Sequence, residues 1–236
     1  MDIRFNLINS KLLEISWPKD ISPLILEEMM AVKGYLEKEY ADGIKEIRMG
    51  YHCLSLKLQL DINEKEVSEL LEEIESKGLK IDTPSSKLWT IPVCYGGEFG
   101  IDLLKLSKFH GLEPEEIIQL HSDPEYLLYF YGFLPGFMYL GGLNERLTTP
   151  RKSSPDRSVP AGSVAIGGKQ TGIYPCESPG GWHVVGVCPI PLFDIHQDPP
   201  VMAKVNDRVK FRSIEKEEYL ELKEKSKTGK YQWQHD

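Results

Sequence analysis

At 236 residues the chain has room for one large domain or two small ones, and its 41% hydrophobic content fits an ordinary soluble globular protein. A formal net charge of −8 argues against nonspecific nucleic-acid binding, which needs a basic footprint. No apolar run of about 18 residues exists to span a membrane, the start lacks the parts of a signal peptide, and four scattered cysteines without a CxxC pair read as reduced thiols in a cytoplasmic protein.

In chain order, Ile3–Ile8 and Leu12–Trp17 read as strands joined by a turn at Asn9-Ser10. Ser22-Pro23 reads as an N-cap followed by proline at the first helical position, and the helix runs to about Tyr40 with Ile25, Met29, Val32 and Leu36 at helical spacing. Ile44–Met49 and His52–Leu60 read as strands. Asn63 and Glu66 form a capping box for a second helix, and Gly78 ends it. Residues 1–81 therefore form a small α+β domain in the order β-β-α-β-β-α. Asp82–Ser86 has the composition of a linker, and residues 87–236 form the second domain.

Leu88–Cys94 reads as a strand ending at the turn Tyr95–Gly100, followed by helices at Asp102–Phe109 and Pro114–Leu120 and a strand at Glu125–Tyr131. From there to Asp194, glycines and prolines punctuate short apolar strands, the pattern of a curved β structure with rigid loops. Trp182–Cys188 reads as a strand, Met202–Val205 and Arg208–Phe211 as a hairpin around Asn206-Asp207, and the tail from Ser213 as a charged helix that covers the barrel or the partner domain.

Gly162–Gln170 fails as a phosphate loop: Ser163 stands where the first glycine belongs, and Gln170 replaces the hydroxyl residue that holds Mg²⁺. Gly167-Gly168 is better read as a β turn. Ser163 lies outside any GxSxG elbow. Cys94 and Cys176 with His183 as base make a weaker case than buried, inert thiols. The histidines lack metal-ligand spacing, so no metal site is expected. Ser178, Gly180 and Gly181 can present backbone N–H groups to an anion, beside the flat wall of Trp182 and the proton carrier His183. Arg151 offers forked donors for a carboxylate or phosphate. Tyr131, Phe133, Phe137 and Tyr139, on a segment stiffened by Gly132, Pro135 and Gly136, are either barrel core or a partner surface.

Seven collinear motifs carry a family resemblance: IPVCYGGEFG (Ile91–Gly100), LHSDPEY (Leu120–Tyr126), GFLPGFMYLGGL (Gly132–Leu143), TPR (Thr149–Arg151), VPAGSVAIGGKQTGIYP (Val159–Pro175), SPGGW (Ser178–Trp182) and PLFD (Pro191–Asp194). With them the chain resembles the KipI/PxpB family, also called allophanate hydrolase subunit 1 or the carboxyltransferase C/D domain. The resemblance implies a cyclophilin-like β-barrel after the N-terminal α+β domain. It implies a bacterial protein whose partners are the oxoprolinase A-type chain and a homologous second carboxyltransferase-like (PxpC-type) chain. The implied role is that of the B-type chain of a 5-oxoprolinase, which opens 5-oxo-L-proline to L-glutamate using ATP. Other members resemble an inhibitor of a sensor histidine kinase or the acceptor domain of a biotin-dependent urea carboxylase; this chain has no Met-Lys-Met biotin-carrier motif. On this reading Glu98, Tyr174 and His183 are the proton-transfer candidates, and Arg151, Gln170 and Ser178–Gly181 hold the anionic substrate. ATP is used by the complex rather than bound by a loop of this chain. Two departures stand out: Asn9-Ser10-Lys11 replaces the family's Gly-Asp turn, and Pro155-Asp156 replaces its usual Pro-Arg.

Overall fold

The structure is a computed structural model that describes residues 2–79, 86–229, 231 and 233–235. The chain divides into two compact units, Met1–Ser85 and Ser86–Asp236.

Among the described residues of the first unit, β1 (Arg4–Asn9), β2 (Leu12–Ser16), β3 (Ile44–Met49) and β4 (Cys53–Leu58) form an antiparallel sheet in the order β1-β2-β4-β3. Two helices, α1 (Pro23–Glu39) and α2 (Glu64–Lys77), accompany it. Leu13 and Ile15 alternate inward on β2, Leu54 and Leu56 on β4, and Met29, Val32, Leu36, Leu70 and Ile74 close over them from the helices. The capping box at α2 is fully formed: the Asn63 carboxamide accepts the Glu66 N–H, and the Glu66 carboxylate accepts the Asn63 N–H. Gly78 ends the helix at φ 54°. Ser22 takes the N-cap position of α1 but makes no side-chain cap. The first hairpin turns at Ser10-Lys11, one residue later than expected, since Asn9 already pairs with Leu12.

The second unit is built from β5 (Leu88–Tyr95), α3 (Leu103–His110), α4 (Pro114–Ser122), β6 (Glu125–Tyr131), β7 (Met138–Gly141), a 3₁₀ turn at Glu145–Leu147, β8 (Asp156–Val159), β9 (Ser163–Gly167), β10 (Gln170–Ile173), β11 (Ser178–Gly180), β12 (His183–Val187), β13 (Arg208–Ser213), α5 (Lys216–Lys227) and β14 (Gln234–His235). Seven strands close a barrel in the order β12-β9-β10-β7-β6-β13-β5, sealed by β5 pairing back to β12. The β5–β13 pairing is parallel. The linker expected at Asp82–Ser86 lies, apart from Ser86, outside the described residues.

The pleat sorts the strand residues between two cores. Val164 and Ile166 of β9, Met138 and Leu140 of β7 and Val185 of β12 point into the barrel. Ala165 and Val184 point outward, into a second cluster with Phe137, Val159, Tyr174 and Trp182. Charged α5 covers the barrel, as the tail was expected to: Tyr219 is buried with Cys94 and Ile214, and its ring lies 4.6 Å from that of Phe99.

The hairpin expected at Met202–Val205 and Arg208–Phe211 does not form. β13 is flanked by β5 on one side and β6 on the other, so it has no free edge for a returning strand. Residues 204–207 form a turn organised by buried Asp207. Its carboxylate accepts the Lys87 and Lys204 N–H groups and the Trp89 indole N–H, the last at 2.8 Å. The four cysteines are unpaired. Among the described residues, no helix is long and apolar enough to cross a membrane, and no group of His, Cys, Asp or Glu converges as a metal site.

Candidate functional site

The outward cluster forms an aromatic bed on the outside of the barrel. Phe137 lies at its centre, 1% exposed, with edge-to-face contacts to Tyr174 at 5.0 Å, Trp182 at 5.5 Å and Phe133 at 5.7 Å. Tyr139 stands beside it at 4.8 Å and stacks on Phe130 at 4.4 Å. Local backbone chemistry sets the bed. The Trp182 ring lies flat on Gly167, where an added Cβ would come within 2.5 Å of the indole, so only glycine fits. Gly180 likewise makes room for Tyr174, whose Cζ would sit 2.8 Å from a Cβ there.

Exposed Arg151 caps the bed, its guanidinium 5.6 Å from the Trp182 ring. Its charge reaches both tyrosines. Burial raises the Tyr139 and Tyr174 phenols above their ordinary value, and Arg151 partly offsets this in each; at Tyr174 the Trp182 N–H also assists. Both hydroxyls hold their protons at neutral pH and can donate.

A buried ion cluster positions this corner. The Lys152 ammonium lies 2.6 Å from Asp102 and 2.5 Å from Asp156. The Asp102 carboxylate also accepts the Val184 N–H at 2.8 Å, and the Lys152 N–H donates to Gly181 O at 2.8 Å. The loop bearing Arg151 is thereby tied on both sides of the segment that carries Trp182 and His183. Burial alone would lower the Lys152 pKa, but its hydrogen bonds and charge contacts to the two carboxylates outweigh this and hold it above the ordinary value. Asp102 occupies the N-cap of α3 without capping it, because its oxygens serve Lys152 and Val184. Asp156, the departure from the family pattern, is thus the second partner of Lys152.

His183 is 6% exposed; its Nε2–H donates to Pro150 O at 3.0 Å, and its Nδ1 is buried without a partner among the described residues. Next to it, Thr149 Oγ1 donates to Leu147 O and so accepts from His110 Nε2 at 2.9 Å.

The sequence candidates therefore divide. Arg151, Tyr174, Phe133, Phe137 and Tyr139 gather at the bed, and Gln170 opens β10 opposite Gly167. His183 lies beneath Pro150. Ser178, Gly180 and Gly181 do not form an N–H cradle. Ser178–Gly180 is an extended strand paired with β8, so successive peptide groups point to opposite sides, and Pro179 has no N–H to offer. Glu98 is exposed and paired with Lys216 at 2.7 Å, with no hydrogen bond or ion pair to His183 or Tyr174. Of the four interface candidates only Phe133 projects outward, at 62% exposure and φ 62°; Phe137 is buried, Tyr139 half-buried, and Tyr131 turns to the barrel core to donate to Ala203 O. The β turn expected at Gly167-Gly168 falls one residue later, at Gly168-Lys169, since Gly167 still pairs with Gln170.

Lys152 and Asp102 were missed by sequence reasoning. They lie fifty residues apart, and nothing local marks either. His121 was also missed. It is fully buried and stacked on Phe211 at 4.8 Å. Thr171 Oγ1 donates to Ala165 O and so accepts from His121 Nε2–H, which leaves Nδ1 to accept the Tyr95 hydroxyl. Burial lowers its pKa to about 3.

A closed barrel with an aromatic, arginine-capped outer face, preceded by a small α+β unit, defines a two-unit mixed α/β protein. Urea carboxylase from Kluyveromyces lactis has this fold, with a TM-score of 0.82 at 17% identity over 99% of this chain and 24% of that one. The family model for the carboxyltransferase domain, subdomain C and D, matches residues 3–203, and the chain belongs to that family. It is similar to proteins named as the B chain of 5-oxoprolinase from Bacillus subtilis, 45% identical over 69% of this chain, and from Haemophilus influenzae, 46% identical over 71%. The match spans 65% of the Bacillus relative's own length and 78% of the Haemophilus one.

Proposed function

We propose that this chain is the B-type component of a 5-oxoprolinase, working with partner chains in the ATP-dependent opening of 5-oxo-L-proline to L-glutamate in the cytoplasm. The observation that carries the reading is Arg151 poised over the aromatic bed, in a chain whose relatives bear that component's name. The substrate is a small ring bearing a carboxylate. Exposed Phe133 and half-buried Tyr139 at the rim of the bed offer the ring aromatic edges, and the Arg151 fork suits the carboxylate. The Tyr139 and Tyr174 hydroxyls are donors near that position, Gln170 a further polar contact, and His183 Nδ1 an unused acceptor for proton transfer. Glu98 braces α5 in this reading.

A lactam is a stable amide, so its opening benefits from phosphoryl activation and from donors already in place for the developing charge. The Gly167–Gln170 hairpin lies against the Trp182 ring, and its sequence departs from a phosphate loop at Ser163 and Gln170. We therefore place the ATP chemistry on the partners, the oxoprolinase A-type chain and a second carboxyltransferase-like chain, and read the barrel as cyclophilin-like. The test is co-expression of the three chains followed by assay of glutamate formation from 5-oxoproline and ATP. Activity that disappears when this chain is omitted supports the reading; full activity without it refutes it.

One observation favours a second reading. Phe133 holds a left-handed backbone while largely exposed, the presentation of a docking residue. If the three-chain assembly forms without turnover, inhibition of a sensor histidine kinase through this loop is the next assay.

A further inference from the structure

A second concavity in the barrel unit has no part in the proposed reaction. Between residues 190–202, which follow β12, and Ser226, Gly229, Tyr231 and Trp233 lies a cavity of about 550 Å³, within the roughly 300–1,000 Å³ usual for small-molecule sites. Trp89, Phe193, Tyr231 and Trp233 supply aromatic walls, and the Tyr231 and Trp233 rings meet edge-to-face at 5.2 Å.

Among the described residues the charges that line this cavity have one sign. Asp194 and Asp198 line it, and no lysine, arginine or histidine among the described residues does. Asp194 is oriented by neutral donors, the His196 N–H at 2.9 Å and the Gln197 amide at 3.2 Å, so its charge is not cancelled. Asp198 makes no ion pair among the described residues. Arg212, whose charge reaches Tyr231, is already paired with Glu218 at 2.6 Å. The Trp89 indole N–H is held by Asp207, and its ring has an ammonium neighbour, Lys87 at 5.5 Å from the centroid.

These features select among occupants. Among the described lining residues an anion meets two carboxylates and no counter-charge. A neutral apolar molecule desolvates those carboxylates without compensating them. An ammonium group on an apolar body satisfies both halves of the lining: carboxylates receive the charge, and aromatic faces receive the charge and the body together. We propose that this cavity is a binding site for a small organic ammonium ion, independent of the aromatic bed capped by Arg151.

The test uses the full chain and phenethylammonium as probe, with phenethyl alcohol and 3-phenylpropionate as its neutral and anionic counterparts, followed by tryptophan fluorescence and calorimetry. The expected result is saturable binding of the ammonium alone, weakened about tenfold or more by Asp198→Asn. Trp233→Leu is expected to abolish most of the fluorescence response. Circular dichroism and Tm check that each variant folds; Asp198 is exposed, and its amide replacement keeps its shape. Three results overturn the proposal: no saturation of the ammonium below about 10 mM; alcohol binding as tight as amine binding; or binding that Asp198→Asn leaves intact while Glu73→Gln, at an acid-rimmed cavity of the first unit, removes it.

Discussion

Individual side chains carry the sharpest consequences. His121 is a neutral imidazole locked between a tyrosine and a threonine inside the barrel, with a pKa lowered to about 3 against an ordinary 6.5. Between those values the unfolded chain binds a proton that the folded chain refuses. Its contribution to stability is complete above about pH 6.5 and declines as the pH falls toward 3. At pH 4.5 the loss amounts to about 2–3 kcal/mol, at roughly 1.4 kcal/mol per pH unit. Urea denaturation at pH 7.5 and 4.5 checks this: the difference should shrink in His121→Gln, and an equal difference in both proteins would place the acid sensitivity elsewhere. Gly167 gives a second residue-scale outcome. Gly167→Ala pushes a methyl group into the Trp182 ring and should cost about 1–3 kcal/mol by the same assay.

At the scale of elements, the Lys152 cluster joins the α3 N-terminus, the Arg151 loop and β12. Lys152→Met leaves Asp102 buried and unpaired, and is expected to destabilise the chain by about 3 kcal/mol or more. Asp156→Asn should cost about 1 kcal/mol or less, because that carboxylate is 36% exposed. Equal losses in thermal denaturation would contradict the assigned order. The sequence could not foresee this cluster, since its members are brought together only when β12 and the loop meet. What it did disclose was local: the Asn63–Glu66 box, the Gly78 stop, the Gly168 turn and the helical spacing of α1. The hairpin expected near Asn206 failed for the same reason that the cluster stayed hidden. Its turn chemistry was legible, but the two neighbours that occupy β13 come from residues 88–95 and 125–131, and pairing at that distance leaves no local mark.

For the whole molecule, alternation explains both structure and site. Strands that bury Val164, Ile166 and Val185 inside the barrel must send Ala165 and Val184 outward, and the aromatics of residues 130–139 cover that outward face. Seen in sequence, those aromatics read equally as core or as surface. The fold makes them both, a second core capped by Arg151, with Phe133 exposed at its rim. The central claim is that the Arg151 rim of this cluster receives the substrate, and kinetics of the three-chain assembly carrying Arg151→Ala test it most directly. Loss of a charge-assisted contact of about 1.5–3 kcal/mol predicts a fall of about 10- to 100-fold in kcat/KM for 5-oxoproline, with assembly mass and Tm unchanged. A kcat/KM like that of the unaltered assembly would contradict the account and move the substrate site away from the aromatic bed.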